Sequence, residues 1–465
     1  MKRQPSPSPL SSFSLESLGC AKNQVDSEIM IAVLEDLGLR YAAGHEQADV
    51  LIVNTCGFID AAKEESLDTC LALRARYPAK RIVLAGCLAQ RYGELLEKEL
   101  PEVDAIMKSR DPREIGRVVA ALGRGRGRDL SEGAPGPAPA GRYTLERPQG
   151  AAAARRRLLS YPGSVYVKIA DGCDNRCTYC AIPLIKGALK SRSRKEVLTE
   201  IAGLLERGIV EINLIAQDLG SYGLDRGPAE LPPLLEEIAA LRGDFWVRLL
   251  YIHPDHFPLD TLDLMKRDPR FLPYFDIPFQ HADELILRAM GRRGSGKAYL
   301  RLIERIRSSV PDAVIRSTFL VGFPGETEKA FGALLRFQEE AELDWLGIFS
   351  YSREEDTPAF SMKGRVKRAA ADRRRAELES RQVPITEKRL ARFVGRSLAL
   401  LTEEAVAGDE LYLARGWMHA PEVDGLAVLR GRGFEPGRFV TARIIRRNGI
   451  DLEAVPWGVP VPCTP

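Results

Sequence analysis

A chain of 465 residues is too long for one ordinary hydrophobic core, and 45% hydrophobic with 28% charged residues is the composition of a globular protein. Its 67 Lys and Arg stand against 64 Asp and Glu, a net charge of +3, which argues against a whole surface devoted to nucleic-acid phosphate and leaves only local patches for that work. No apolar run approaches the length that spans a bilayer, so no membrane partner is expected and a cytoplasmic location is.

The opening MKRQPSPSPL has two basic residues and no long apolar segment behind them. It reads as a disordered lead-in rather than a signal peptide. From 12 to 122 short apolar runs alternate with amphipathic stretches. FSLESL, DVLIVNT and RIVLAG read as strands, each followed by a helical pattern, which predicts an α/β domain on a parallel sheet covered on both sides. Residues 123–158 are dominated by Gly, Pro, Ala and Arg and read as a linker. From 159 to 390 the alternation resumes. SVYVKIA, VEINLIA, WVRLLYI, YFDI, AVIRSTFLV and DWLGIFSY are six candidate strands with helical patterns between them. That predicts a partial TIM-type (β/α)6 barrel with its site on the loops after the strands. A charged helical pattern runs from Lys367 to Ala391, and 391–460 offers short β-runs with glycine turns (RSLALLTEEAV, LAVLRGRG, RFVTARIIRRN), a small C-terminal β-barrel.

Eight cysteines in a reducing compartment point to a metal or cluster rather than to disulfides. Cys173, Cys177 and Cys180 fall within eight residues directly after VYVKIA. Three thiolates so spaced can hold three irons of a 4Fe–4S cluster, and the lack of a nearby fourth leaves one iron open to a chelating substrate. A zinc site is the alternative; structural zinc wants four closed ligands, and the nearest downstream histidine is His253. Cys20, Cys56 and Cys87 each follow a candidate strand. The carboxyl ends of parallel strands converge on one crevice, so these three are expected to meet there and hold a second cluster; three buried apolar cysteines are the alternative. Cys70 lies within a helical pattern and reads as a packing residue, and Cys463 in the Pro-rich tail is assigned nothing.

The pattern Cys173-x3-Cys177-x2-Cys180 after the first strand of a βα barrel resembles the radical S-adenosylmethionine (SAM) superfamily. That resemblance implies an open iron chelating SAM's methionine part, with one electron cleaving the C–S bond to release a 5′-deoxyadenosyl radical. The order of a three-cysteine sheet domain, a radical SAM core and a small β-barrel resembles the methylthiotransferase family, over nearly the whole chain apart from the linker and tails. The family implies a flavodoxin-like N-terminal domain, a TRAM-type C-terminal barrel, two 4Fe–4S clusters and SAM as cofactors, and an electron-donor protein. Its second cluster, here on Cys20, Cys56 and Cys87, would carry the sulfur to be transferred. SLGCAKNQVDSE, NTCGFIDAAKEES, CDNRCTYCAIPLIKGALKSR, LIAQDLGSYG, WVRLLYIHPDHF, DIPFQHADELILRAMGRRG and APEVDG are similar to the protein-modifying branch, whose substrate is an aspartate of ribosomal protein S12. The balance of nine Arg, no Lys and nine acids between 391 and 460 fits a protein substrate better than tRNA.

For the SAM contacts the resemblance implies Tyr179, the aromatic before the last cysteine, and Gln217 with Asp218 after the second strand. Arg248, on the third strand, would need an anionic partner if it points inward, and the SAM carboxylate is one candidate. Pro278, Gln280 and His281 follow the fourth strand. Gly322, opening GFPGET after the fifth, suits close approach to a nucleoside; the same segment could be an ordinary turn with Thr327 capping the next helix. Lys186, Lys190, Arg192 and Arg194 are expected to form a basic patch beside the cluster loop. The resulting expectation is a monomeric radical SAM methylthiotransferase acting on S12. Its rivals are a tRNA adenosine methylthiotransferase and a non-catalytic iron–sulfur or zinc scaffold.

Overall fold

Strands buried on both faces read as continuous apolar runs, and DVLIVNT and RIVLAG do so because helices cover them on either side. The computed structural model describes residues 10–123 and 155–458, in two compact units. The lead-in, most of the expected linker and Cys463 lie outside the described residues.

The first unit holds residues to Leu159 together with Ala181–Ala188 and Lys195–Glu200. Its five parallel strands are β1 (Ser12–Ser17), β2 (Arg40–Tyr41), β3 (Val50–Thr55), β4 (Arg81–Gly86) and β5 (Ala105–Ile106), in the order β2-β1-β3-β4-β5. That is the flavodoxin-like order, with its crevice between β1 and β3. One face packs Phe13, Leu15, Ile52 and Val83 against Met30, Ile31 and Leu34 of the helix Ala21–Asp36. The other packs Leu51, Val53 and Leu84 against Cys70 and Leu73 of the helix Asp60–Arg76. Cys70 is thus a core residue, as its helical position predicts. The two-residue edge strands β2 and β5 are too short to leave a periodic signal.

Three residues at the end of the expected linker are held rather than free. Arg155, 2% exposed, lies between Glu28 and Glu200, with its Nη1 donating to Glu200 Oε1 at 2.6 Å. Arg156 pairs with Asp36, and Arg157 pairs with Glu35 while stacking on Tyr41. Composition points to a linker here; acids presented by the helix Ala21–Asp36, together with Glu200, decide otherwise.

The second unit contains six parallel strands: β6 (Ser164–Lys168), β9 (Glu211–Ile215), β10 (Trp246–Leu250), β11 (Phe271–Asp276), β12 (Val314–Val321) and β13 (Trp345–Ser350). They lie in consecutive order, an open (β/α)6 arc, as the six candidate strands predict. β7 (Ala170–Asp171) and β8 (Lys190–Ser191) pair separately. The helix Arg368–Ala391 packs along β13 and leads into a closed barrel of β14 (Ser397–Ala405), β15 (Leu411–Gly416), β16 (Ala427–Arg430), β17 (Phe439–Asn448) and β18 (Asp451–Pro456). β15 and β18 were not among the predicted runs.

Buried charge joins this barrel to the arc. Glu211 accepts from Arg248 Nη2 at 3.0 Å and from Arg415 Nη2 at 2.6 Å, and Ser164 Oγ donates to it at 2.7 Å. Trp345 Nε1 donates to Met418 O at 2.8 Å, and Tyr274 OH to Asp424 at 2.5 Å. Asp424 belongs to the APEVDG stretch and also accepts from the Ala420 N–H, so this motif docks the barrel on the arc. Among the described residues no helix is long and apolar enough to cross a membrane.

Candidate active site

In the first unit Cys20, Cys56 and Cys87 stand just past the ends of β1, β3 and β4, three adjacent strands. Two glycines show how closely their loops approach. A Cβ on Gly19 would fall 2.9 Å from Cys56 Cβ and 3.2 Å from its Sγ, and one on Gly57 would fall 2.9 Å from the Cys87 carbonyl carbon. Only residues without a side chain let these backbones meet. Asn23 and Asn54 staple the strand ends: Asn23 Nδ2 donates to Leu18 O at 2.6 Å and to Asn54 O at 3.1 Å, and Asn54 Nδ2 returns a bond to Asn23 O at 2.8 Å. Cys20 occupies the N-cap of the helix Ala21–Asp36, and Cys87 opens the helix Cys87–Glu99. Helix N-termini favour negative charge, which suits thiolates. Burial pushes the Cys56 thiol up and the Cys87 thiol up to about 12, with the Lys186 ammonium, itself paired with Asp26 at 3.0 Å, opposing the latter. A metal bound there would favour the deprotonated thiolates.

In the second unit the loop from Cys173 to Cys180 follows β6, and nearly every residue between the cysteines is pinned. The Leu189 N–H donates to Asp174, Asn175 Nδ2 to Asp218 at 2.9 Å, and the Cys180 N–H to Cys177 O. Thr178 is held on three sides: its N–H donates to Met290 O, its hydroxyl to Ala289 O, and its carbonyl accepts from the Ala359 N–H. Held this way, the thiols of Cys173, Cys177 and Cys180 remain half-exposed and free of disulfides. Burial raises the Cys173 thiol to about 11, eased by hydrogen bonds from Asn175. Among the described residues no three His, Cys, Asp or Glu side chains are placed to share a single ion; a cluster gives each thiolate its own iron and asks for a wider triangle. The all-thiol donor sets fit iron–sulfur clusters.

Arg292, missed in the sequence, lies against the Cys173–Cys180 loop. It is 6% exposed, its Nη2 donates to Pro278 O at 2.6 Å, and its Nη1 lies 3.7 Å from Cys177 Sγ and 3.5 Å from the Tyr179 hydroxyl. Tyr179 packs edge-on against Phe323. One signal pointed to Arg292: it sits in the same MGRRG phrase whose Gly291 lies against Arg176 O.

Several expected SAM contacts have other occupations. The anionic partner of Arg248 is Glu211: the guanidinium is 0% exposed, lies 4.7 Å from the Tyr274 ring centroid, and donates from Nη1 to Trp417 O at 2.8 Å. Asp218 accepts from Asn175, Ser221 Oγ and the Gly220 and His253 N–H groups, with His256 Nδ1 at 2.6 Å. Burial would raise its carboxyl, but these bonds hold it well below the usual carboxylate range, so it acts as a brace for the cluster loop. Gly322 has φ +77°, and a Cβ there would lie 2.5 Å from Ala371 Cβ, so helix packing accounts for it; Thr327 caps the following helix by accepting from the Ala330 N–H. Gln280, at φ +67°, bridges to β12 through the Leu320 and Thr318 backbone. Gln217, half-exposed, follows β9. The expected basic patch is divided: Lys186 pairs with Asp26, Arg192 donates to Lys168 O, Arg194 pairs with Glu237, and Lys190 is exposed.

Residues 167–337 match the Radical SAM superfamily, 394–456 the TRAM domain, and 12–108 the Uncharacterized protein family UPF0004. The fold is similar to that of the radical S-adenosylmethionine methyltransferase TsrM from Kitasatospora setae, solved with cobalamin and a [4Fe-4S] cluster bound, at a TM-score of 0.54 and 16% identity over 76% of this chain and 74% of that one. Arc, cluster loop and small barrel define a radical SAM enzyme, a class that uses a 4Fe–4S cluster and SAM. Among its relatives, the ribosomal protein uS12 methylthiotransferase RimO of Treponema denticola is 42% identical, covering 94% of this chain and 99% of that one. The RimO of Carboxydothermus hydrogenoformans is 40% identical, covering 94% and 97%. The chain belongs to the RimO family of radical SAM methylthiotransferases.

Proposed function

We propose that this enzyme places a methylthio group on the β-carbon of an aspartate in ribosomal protein uS12. It would do so in the cytoplasm as a monomer supplied with electrons by a donor protein. Its parts are a sulfur-carrying domain at 12–122, a linker at 123–158, a radical SAM core at 159–390 and a TRAM domain at 391–460. The observation that carries the reading is the pair of three-cysteine sets, each at strand carboxyl ends, in a chain whose relatives bear that activity as their name.

Cys173, Cys177 and Cys180 would hold one 4Fe–4S cluster and Cys20, Cys56 and Cys87 a second. When bound, the first cluster and SAM supply a 5′-deoxyadenosyl radical, and the second cluster supplies the sulfur. Asp218, through Asn175, fixes the first loop, and Arg292 gives Cys177 a cationic hydrogen-bond donor. Tyr179 and Phe323 close an apolar wall beside that loop, and Gln217 and Gln280 line the same strand ends, where SAM would lie.

Anaerobic incubation with SAM, a strong reductant and uS12 should replace one hydrogen of one aspartate by a methylthio group, read by mass spectrometry. Methylthiolation of tRNA adenosine instead would sink the proposal. Cys56→Ala should halve the bound iron, abolish methylthio transfer and leave 5′-deoxyadenosine formation; Cys173→Ala should halve the iron and abolish both.

A further inference from the structure

Among the described residues many arginines are matched: Arg74 and Arg81 share Asp104, Arg389 and Arg392 share Asp344, and Arg396 pairs with Asp312. The segments around the Cys173–Cys180 loop break that habit. On one side the segment 288–294, whose Met290 and Ala289 carbonyls receive Thr178, exposes Arg288 and Arg293. On the other, Ala359 is bonded to Thr178 O and Gly364 O to the Gly325 N–H. This anchors the run 363–367, with Lys363, Arg365 and Lys367 exposed, beside the same loop, and Arg176 is exposed on the loop itself. None of Arg176, Arg288, Arg293, Lys363, Arg365 or Lys367 has an ion pair among the described residues. Acids on the same and adjoining segments include Asp174, Asp255, Glu284, Glu355 and Asp356. Asp174 is engaged by the Leu189 N–H, and none of the five pairs with these six cations.

Unpaired cations on the segments flanking the Cys173–Cys180 loop form a local positive field that a net charge of +3 conceals. A ribosomal protein carries cations of its own to bind RNA, so such a rim repels it in isolation. It attracts the phosphates flanking that protein once it sits on RNA. We propose that the cationic rim at Arg288, Arg293, Lys363, Arg365 and Lys367 binds RNA backbone next to the target loop, so that the preferred substrate is the protein assembled on RNA. This rests on the uS12 reading above and extends it to the form in which the substrate is met.

The test compares the wild-type holoenzyme with the Lys363→Gln, Arg365→Gln, Lys367→Gln triple variant on a synthetic peptide of the target loop, on free uS12 and on assembled small ribosomal subunits. On the peptide the two enzymes should have equal kcat/KM. On the subunit the variant should lose about tenfold, and the slope of log affinity against log salt, measured by co-sedimentation, should flatten by about 2 to 3, since each phosphate contact contributes about 0.7–0.9. Equal loss on free uS12 would mean that an acidic protein surface is read instead, and an unchanged slope on the subunit would mean that the rim binds nothing; either overturns the proposal. If wild type modifies none of the three, the uS12 reading fails, and the co-sedimentation slopes still decide the rim.

Discussion

Asp218 is the residue on which most of the cluster loop's order converges, because one carboxylate accepts from three segments that the chain brings together only at the strand ends. Asp218→Ala should leave Asn175, Ser221 and two buried N–H groups without an acceptor and cost roughly 3 kcal/mol in urea unfolding. Iron held by Cys173, Cys177 and Cys180 should be lost on dilution while that on Cys20, Cys56 and Cys87 is kept, as iron analysis against the Cys56→Ala background would show. Asp218→Asn, which keeps acceptor and shape, should recover part of both losses. The sequence placed Asp218 after the right strand but could not say what it faces. An aspartate that binds SAM and one that braces a loop look alike until their neighbours are known, and the same holds for Arg248.

At the scale of elements, Gly322 shows how a turn is decided by what crosses it. Its positive φ, and an Ala371 methyl 2.5 Å from where a Cβ would stand, make Gly322→Ala costly twice over. The expected loss is about 2–3 kcal/mol by thermal unfolding. Adding Ala371→Gly should return the steric part and leave the cost of the left-handed backbone. A double variant no better than Gly322→Ala would place the whole penalty in φ. All nine predicted strands of the two parallel sheets are present because each is long enough to show its apolar run. The short strands that escaped prediction, β2 and β5 at the edges of the first sheet and the separate antiparallel pair β7 and β8, are two residues each and exist only because a neighbouring segment offers them a ladder.

Across the second unit, buried titratable groups tie stability to pH. Burial lowers His253 and His419 to about 3, and nearby arginines push them in the same direction. Both are therefore neutral in the fold and protonate near 6.5 when unfolded. As the folded values lie below the unfolded one, their contribution is complete above about pH 6.5 and drains away towards pH 3, at about 1.4 kcal/mol per pH unit for each histidine. Burial would raise Glu211, but Arg415 and Arg248 outweigh it and hold the carboxyl at about 2. Its contribution is present above about 4.5 and fades as pH falls towards 2. The melting temperature should therefore decline below pH 6.5 and more steeply below 4.5. His419→Gln should shallow the first limb, and a profile flat from pH 7 to 4 would contradict the assignment.

Local pattern alone determined a good deal here: the three-part order, the parallel sheets, the six-strand arc, and two sets of three cysteines at strand ends. All of these follow from periodicity and chain order, which every residue carries with it. Tertiary structure alone decided what each polar side chain does. Arg155 became a clamp, Arg248 and Glu211 a joint between barrels, Arg292 a partner of Cys177, and the cations of two distant segments one rim. The reason is physical: the state of a charged group depends on which opposite charges the fold brings within a few ångströms, and those come from positions up to 204 residues away, as Arg415 and Glu211 show.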